Sequence, residues 1–349
     1  MATVITRYVN GASTAGGDGT TTATAGANRA YESLQTAFSA SFSAYPNLVS
    51  SDVQLDIVLD GTSTDTSFTG NIQSFTTDAT RYVRVTTTSG ARHAGYWDAS
   101  KARVSTGTAV GGFYTSIPSY SRFENMIFEC ASTGGYSFIY VGAAGCTGIV
   151  FDSCIMHKSN ATAQYSDYWC FNLTGVNLKT ILVRNCILTG NWAGFFKGNY
   201  GNASSAIGLY NNTIVGANAG IDLANTTNNK AYVYNNLIEL RAGASGNGWN
   251  SVTQVTGNNI TNDATSPQTG LRNLTATYVN AAGYDCRLDA SDTVAKDAGS
   301  DRSGDSLFPF NVDIVGSTRG ALWDIGAFEL TGGAPALMGN TSAIVWVGL

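Results

Sequence analysis

Two carboxylates and a guanidinium recur at one place in a repeated motif. Glu124, Asp152 and Arg184 are the second residues of Phe123-Glu-Asn-Met-Ile127, Phe151-Asp-Ser-Cys-Ile155 and Val183-Arg-Asn-Cys-Ile187. Paired carboxylates on either side of a glycosidic bond are what glycoside hydrolysis needs, one as acid and one as base or nucleophile. A basic residue beside acids suits proton abstraction in a polysaccharide lyase. The simpler reading is an exposed ion ladder, which adds little stability and no chemistry. These three residues are the catalytic candidates, and the ladder is the reading to beat.

Other chemistries find less. His93 and His157 lack the HxxxH or HExxH spacing of a catalytic zinc site and are expected in solvent-facing loops. There is no Gly-x-Ser-x-Gly elbow, Walker loop, dinucleotide fingerprint or CxxC pair. No cofactor is therefore expected. Asp297, Asp301 and Asp305 gather near Gly304 and offer oxygen ligands for calcium, with a polar loop as the simpler alternative. Gly16-Gly-Asp-Gly-Thr20 matches one unit of a calcium-binding roll, but it occurs once and reads as a turn. Aromatics are the stronger hint. Trp169, Trp192, Tyr200 and Trp249, with Trp97, Tyr165 and Tyr168, fall in or beside expected loops. There they can stack on sugar rings or anchor a protein interface. Phe171, Phe195 and Phe196 fit inward-facing positions instead.

The elements that must position these residues show in the composition. Of 349 residues 40 are Gly and only 12% are charged, while 43% are hydrophobic. Scarce Lys and Glu disfavour long surface helices, and the Gly, Asn, Ser and Thr favour strands joined by tight turns. The net charge of −5 and the lack of a basic block make nucleic acid and anionic membranes poor partners. No apolar run approaches the ~18 residues that span a bilayer. The N-terminus shows no basic and apolar leader, so synthesis in a host cytosol is expected. The six cysteines are accordingly expected to be reduced and buried.

The motif recurs six times. Its further copies are Tyr210-Asn-Asn-Thr-Ile214, Tyr234-Asn-Asn-Leu-Ile238 and Thr256-Gly-Asn-Asn-Ile260, and successive offsets are 28, 32, 27, 24 and 22 residues. Each copy reads as one coil of a solenoid, with like residues stacked ~4.8 Å apart. A column of Ile would form the dry core. A column of Asn (Asn125, Asn185, Asn212, Asn236 and Asn258, with Ser153) would satisfy buried polar groups at a turn. Further strands are expected between copies, at 136–141, 168–173, 193–197 and 219–223.

This repeat resembles the right-handed parallel β-helix proteins, the pectate-lyase-like and phage tailspike-like group. Tyr8-Val-Asn, Gly16–Thr20 and Ala30-Tyr-Glu-Ser-Leu34 resemble the start of such helices. Ala295-Lys-Asp-Ala-Gly299, Asp313-Ile-Val-Gly316 and Asp324-Ile-Gly-Ala-Phe-Glu329 resemble their closing segment. The resemblance covers about residues 4–330 and implies an all-β parallel β-helix with a short N-terminal helical cap and an irregular C-terminal cap. The expected divisions are a cap over 1–50, coils over 51–265, a closing segment over 266–330, and over 331–349 a linker followed by an apolar strand. In the cap, Asn28 is expected to start a short helix with Tyr31, Leu34 and Phe38 on one face. In the last division, Ile344, Val345, Trp346 and Val347 are the expected interface residues, docking on the chain's own cap or on a neighbouring subunit.

The fold hosts enzymes, adhesins and virion proteins alike, so function does not follow from it. The expectation is a non-enzymatic structural protein of a bacteriophage particle, a capsid decoration protein or a tail fibre or spike component located in the virion. Its expected partners are other virion proteins, further copies of itself (a trimer by the resemblance) and surface polysaccharide. The alternatives are a polysaccharide lyase or glycoside hydrolase acting as a depolymerase, and a bacterial surface adhesin.

Overall fold

In the computed structural model the described residues are 2–68, 72–106, 113–115, 117–131, 139–141, 146–159, 169–174, 180–199, 206–223, 230–251 and 254–330. Three parallel sheets wind around a common core. The first has nine strands, from Thr3–Val9 and Val53–Leu59 to Lys230–Tyr234 and Gln254–Gly257. The second has eight, from Thr64–Asp65 to Ile260–Thr261, and the third has six, from Phe113–Thr115 to Trp249–Ser251. Strands adjacent in a sheet come from successive coils, so the chain is a parallel β-solenoid. The expected strands of the third sheet are present at Ile139–Val141, Trp169–Thr174, Gly194–Asn199 and Ile221–Leu223.

Stacking is literal in the bore. Val85, Phe123, Phe151, Val183, Leu209 and Val233 share one column of the first sheet. The rings of Phe123 and Phe151 lie 4.8 Å apart and nearly parallel, the spacing of adjacent strands. Ile139, Phe171, Phe196, Ile221 and Trp249 form the matching column of the third sheet. A void of about 10 Å³ remains among Phe68, Ile72, Ile117, Phe123, Phe128, Ile139 and Phe151. At the size of a single water it leaves the bore a packed core rather than a channel.

The corner between the first and second sheets turns on one residue per coil with a left-handed backbone: Asn125, Ser153, Asn185, Asn211, Asn235 and Asn258. Asn tolerates this region better than other residues with a Cβ. This corner corrects the register expected from the motif. Ile127, Ile155 and Ile187 pair directly, but Ile187 is opposite Thr213, and Ile214 is opposite Leu188. Two columns therefore separate. Phe128, Met156, Leu188, Ile214 and Ile238 face the bore, whereas Ile127, Ile155 and Ile187 face outward into a second apolar cluster. The Asn column divides in the same way. Asn212, Asn236 and Asn259 point inward one position after the left-handed residue.

These inward side chains form a ladder. Asn212 Nδ2 donates to Asn236 Oδ1 (2.9 Å), and Asn236 Nδ2 donates to Asn259 Oδ1 (2.8 Å). Each also donates to a strand carbonyl of the preceding coil, at Val183, Leu209 and Val233. Their Oδ1 atoms accept the backbone N–H of Cys186, Asn212 and Asn236, and Gln268 Oε1 ends the series by accepting from Asn259 N. Earlier coils use cysteine at the same place. The Cys154 and Cys186 thiols donate to the Phe123 and Phe151 carbonyls, the geometric equivalents of the Asn contacts. All six cysteines are free and buried.

The N-terminal end is closed by helix Leu34–Ala44, which buries Leu34, Ala37, Phe38 and Ser41. It starts later than expected because Ser33, not Asn28, is the cap: Ser33 Oγ accepts from Thr36 N, and the Asp65 carboxylate takes Leu34 N.

At the other end residues 263–274 cover the last strand of the second sheet, and the chain then turns back along the outside of the coils. Phe308, Phe310 and Trp323 pack on Val150, Leu182 and Ala206 of the first sheet. Gly208 makes this possible, since a Cβ there would come within 2.9 Å of the Phe308 ring. Ile314, Cys286 and Ala327 cover Ile127, Ile155 and Ile187. The outward sides of the left-handed residues hold this strap. Asn185 Nδ2 donates to Val312 O, Asn211 Nδ2 to Asp324 O and Gly326 O, Asn235 Nδ2 to Ser300 O, and Asn258 Nδ2 to Ala298 O. Within the strap Arg319 and Glu329 form a fully buried ion pair of 2.9 Å. The Arg319 guanidinium also donates to the Gly326 and Ala327 carbonyls and to Asn185 Oδ1.

Both histidines are buried beneath this arrangement, contrary to the expectation of solvent-facing loops. His93 Nε2 lies 2.8 Å from Ser153 O and its Nδ1 accepts from Gly95 N, which fixes a neutral Nε2–H ring. His157 stacks on Trp97 (4.1 Å), meets the edge of Tyr284 and touches Thr189 Oγ1. Hydropathy alone does not show this, because the covering residues come from distant parts of the chain.

Two outcomes are expected. Asn236→Ala removes a ladder rung and strands the Asn212 N–H and the Leu209 carbonyl. The cost is about 3 kcal/mol or more, read as a lower urea midpoint, whereas exposed Asn250→Ala leaves the midpoint nearly unchanged. Burial depresses His93 to a pKa of about 3 and His157 to about 4. The unfolded chain, with histidine near 6.5, takes up protons first as pH falls. Their contribution to stability is thus complete above pH ~6.5 and declines by about 1.4 kcal/mol per pH unit per histidine below it. Urea midpoints measured from pH 7 to 4.5 should fall, and His157→Phe should flatten the slope. An equal slope in the variant would contradict this assignment.

Candidate functional site: the outer face of the third sheet

The acid–base column of the sequence is real in register. Asp152 pairs with Glu124 on one side and Arg184 on the other. Its chemistry is largely spoken for. Arg184 is buried, binds Asp152 Oδ2 at 2.6 Å, donates to Pro309 O and lies 5.0 Å from the Phe310 ring centroid. The strap thus covers the basic member. Glu124 lies 3.9 Å from Arg84, which is held more tightly by Asp56 at 2.9 Å. Burial pushes the Glu124 carboxyl above its ordinary range, with Arg84 opposing. Each carboxylate thus has a guanidinium neighbour, Asp56 and Glu124 at Arg84 and Asp152 at Arg184, as in an ion ladder, although Glu124 and Asp152 themselves sit side by side.

The loop carboxylates are similarly engaged. Asp301 Oδ1 accepts from Ser303 N, which holds its carboxyl below the usual range. Asp305 accepts from Leu307 N and Phe308 N and pairs with Arg302 at 3.2 Å. Asp297 takes part through its backbone, donating N–H to Asp324 Oδ1. Among the described residues no three His, Cys, Asp or Glu side chains converge on a metal position. Asp301 and Asp305 thus shape turns.

The aromatic candidates divide. Trp192 is fully buried in the bore and its indole N–H donates to Thr189 O. Trp249 is buried in the same core. Neither can stack on a sugar without leaving the core, which corrects their assignment to ligand binding. Trp169 is also buried, but it stands at the margin of the third sheet, over Gly194, with the Lys197 ammonium 5.6 Å from its ring. Tyr200, Tyr165 and Tyr168 lie outside the described residues, as do Ile344, Val345, Trp346 and Val347.

The third sheet lies apart from this strap. The contacts described for residues 276–330 fall on the first and second sheets and the corner between them, among the described residues. The second sheet is covered at His157 by Trp97 and Tyr284, and at Glu239, whose Oε1 accepts from Ala276 N. On the third sheet the register instead builds one outward column: Asn172, Lys197, Asp222 and Asn250. Asn172, Lys197 and Asp222 are partly exposed and Asn250 is exposed. Asn250 Nδ2 donates to Asp222 Oδ1 at 3.1 Å. Alternation fixes this face: Phe171, Phe196 and Ile221 point into the core, so their successors point out. The column needed the register, because no motif marks these strands.

A straight column of amide, ammonium and carboxylate groups repeating every ~4.8 Å can offer hydrogen bonds at regular intervals to an extended chain. Comparison with protein-family models, with curated proteins and with solved structures finds no match.

Proposed function

We propose that this chain is a non-enzymatic structural protein of a bacteriophage particle, a capsid decoration protein or a tail fibre or spike component, and that it presents the third sheet to surface polysaccharide. The observation that carries the reading is the division of labour among the sheets. Among the described residues a strap packs on two of them, while the third carries a column of partly exposed polar groups, Asn172, Lys197, Asp222 and Asn250. Polysaccharide recognition suits such a face, since hydroxyls pair with amides and charged groups along an extended chain. The structural role is supported by the way the molecule is fastened. Each coil is tied to the next by strands, the inner ladder and the strap, which gives slow unfolding and resistance to proteolysis. Assembly with other virion proteins, and as a trimer, belongs to the same proposal.

A polysaccharide lyase or hydrolase is the second reading. It is favoured by the adjacency of Glu124 and Asp152 and weakened by the burial of Arg184 under Pro309 and Phe310.

Incubation with purified bacterial capsular polysaccharides separates the two. Retention of polymer without shortening is expected, with binding weakened roughly tenfold by joint Asn172→Ala and Lys197→Ala replacement, as loss of two hydrogen-bonding groups implies. Release of oligosaccharides that Asp152→Asn abolishes would overturn the reading in favour of an enzyme. For the particle itself, mass spectrometry of purified virions should find the chain at a fixed copy number. Its absence from virions would remove the structural assignment.

A further inference from the structure

Among the described residues one strand edge at the C-terminal end of the solenoid has no paired neighbour. Gln254–Gly257 is the last strand of the first sheet, and among the described residues no strand pairs with its far side. Val255 on this strand is 48% exposed. The neighbouring edge of the second sheet is already covered: Thr261 bridges Arg272, and Leu274 N donates to Thr261 O at 3.1 Å. At the other end of the molecule, Thr3–Val9 is partly covered by Gly19 and Tyr31, through Tyr8 N–H to Gly19 O and Tyr31 N–H to Tyr8 O. A bare strand edge is a template for a further strand.

Residues 342–347, Ser-Ala-Ile-Val-Trp-Val, carry no charge and are rich in β-branched and aromatic residues. Such a hexapeptide favours a strand and aggregates if left exposed. Where the chain approaches this segment decides which edge it can meet. Leu330 packs with Leu237, Ile260, Ala276 and Ile325, and Ile260 is three residues beyond Gly257. From Leu330, residues 331–341 form a tether that reaches ~40 Å when straight. The near edge lies well within that reach. The Thr3–Val9 edge of the same molecule is eight strand spacings away, about 38 Å, and needs a fully drawn tether.

We infer that residues 342–347 add to Gln254–Gly257 of their own chain as a tenth strand of the first sheet. This closes the exposed edge and buries Val255 beside Ile344, Val345, Trp346 and Val347. It goes beyond the proposed function, and its truth does not depend on what the third sheet binds.

The test uses the full chain, whose native cysteines are buried. Val255→Cys is combined in turn with Ile344→Cys, Val345→Cys, Trp346→Cys and Val347→Cys. Each variant is oxidised mildly, then separated without reductant, and its linked peptides are identified by mass spectrometry. A crosslink within one chain, at monomer mass, is expected for at least one pair. In hydrogen exchange, removal of residues 331–349 should lower the protection of amides 254–257 at least tenfold. Crosslinks only between chains would overturn the proposal and make the segment a subunit contact. Failure of all four pairs to link would overturn it as well, as would unchanged protection after removal.

Discussion

The structure depends on how one tight corner disposes of its backbone polar groups. At the six passages from the first to the second sheet between Asn125 and Asn258 the chain bends through a single left-handed residue. For a residue with a Cβ that conformation costs roughly 1–2 kcal/mol, and it turns N–H and C=O groups away from the strand ladders. Buried groups of this kind must find partners. Here they find them on both sides of the corner. Inside, the Asn212, Asn236 and Asn259 side chains serve the backbone N–H and C=O groups of the preceding coil. Outside, Asn185, Asn211, Asn235 and Asn258 serve the carbonyls of the returning strap. The same corner thus sets the register of the coils and fixes the path of residues 298–326.

This double use explains the rest of the architecture. Because the strap is anchored at the corner, its aromatics fall on the first sheet and its aliphatics on the outward Ile column of the second. Gly208 and Gly326 mark the closest approaches. At Gly326 a Cβ would come 2.6 Å from Thr213 Oγ1, the atom that accepts the Ala327 N–H. The Arg319–Glu329 pair, which would be costly to bury alone, is surrounded by enough further hydrogen bonds to offset desolvation. Among the described residues the strap stays on these two sheets and the corner between them, and the partly exposed column from Asn172 to Asn250 lies on the third.

The solenoid was legible in the sequence because stacking demands like residues at like positions. Six motif copies reveal that even with unequal offsets. The register was legible only in part. Doublets such as Asn211-Asn212 and Asn235-Asn236 offer two ways to align an Asn, and the choice that kept Ile in line placed Ile214 and Ile238 one position out. The two Asn of each doublet do different work, one bending the backbone and one filling the ladder, which a single sequence does not distinguish. The strap's path was not legible, since it rests on contacts between residues more than a hundred positions apart that follow no period. His93 and His157 were misplaced for that reason, whereas Trp192 was misplaced because it lies in the bore itself. The outward column of the third sheet was not legible, since Asn172 and Asn250 are of residue types common throughout the chain and no motif marks its strands.

Hydrogen exchange at the backbone amides of Cys186, Asn212 and Asn236 tests the corner most directly. Each N–H donates to the Oδ1 of the Asn one coil further on, at 3.0–3.1 Å. If the ladder holds the coils in register, these amides exchange as slowly as those of the central strands, although they lie at a turn. Exchange at the rate of exposed loop amides would mean that the ladder does not form in solution, and the account of how coils and strap are fastened would be wrong.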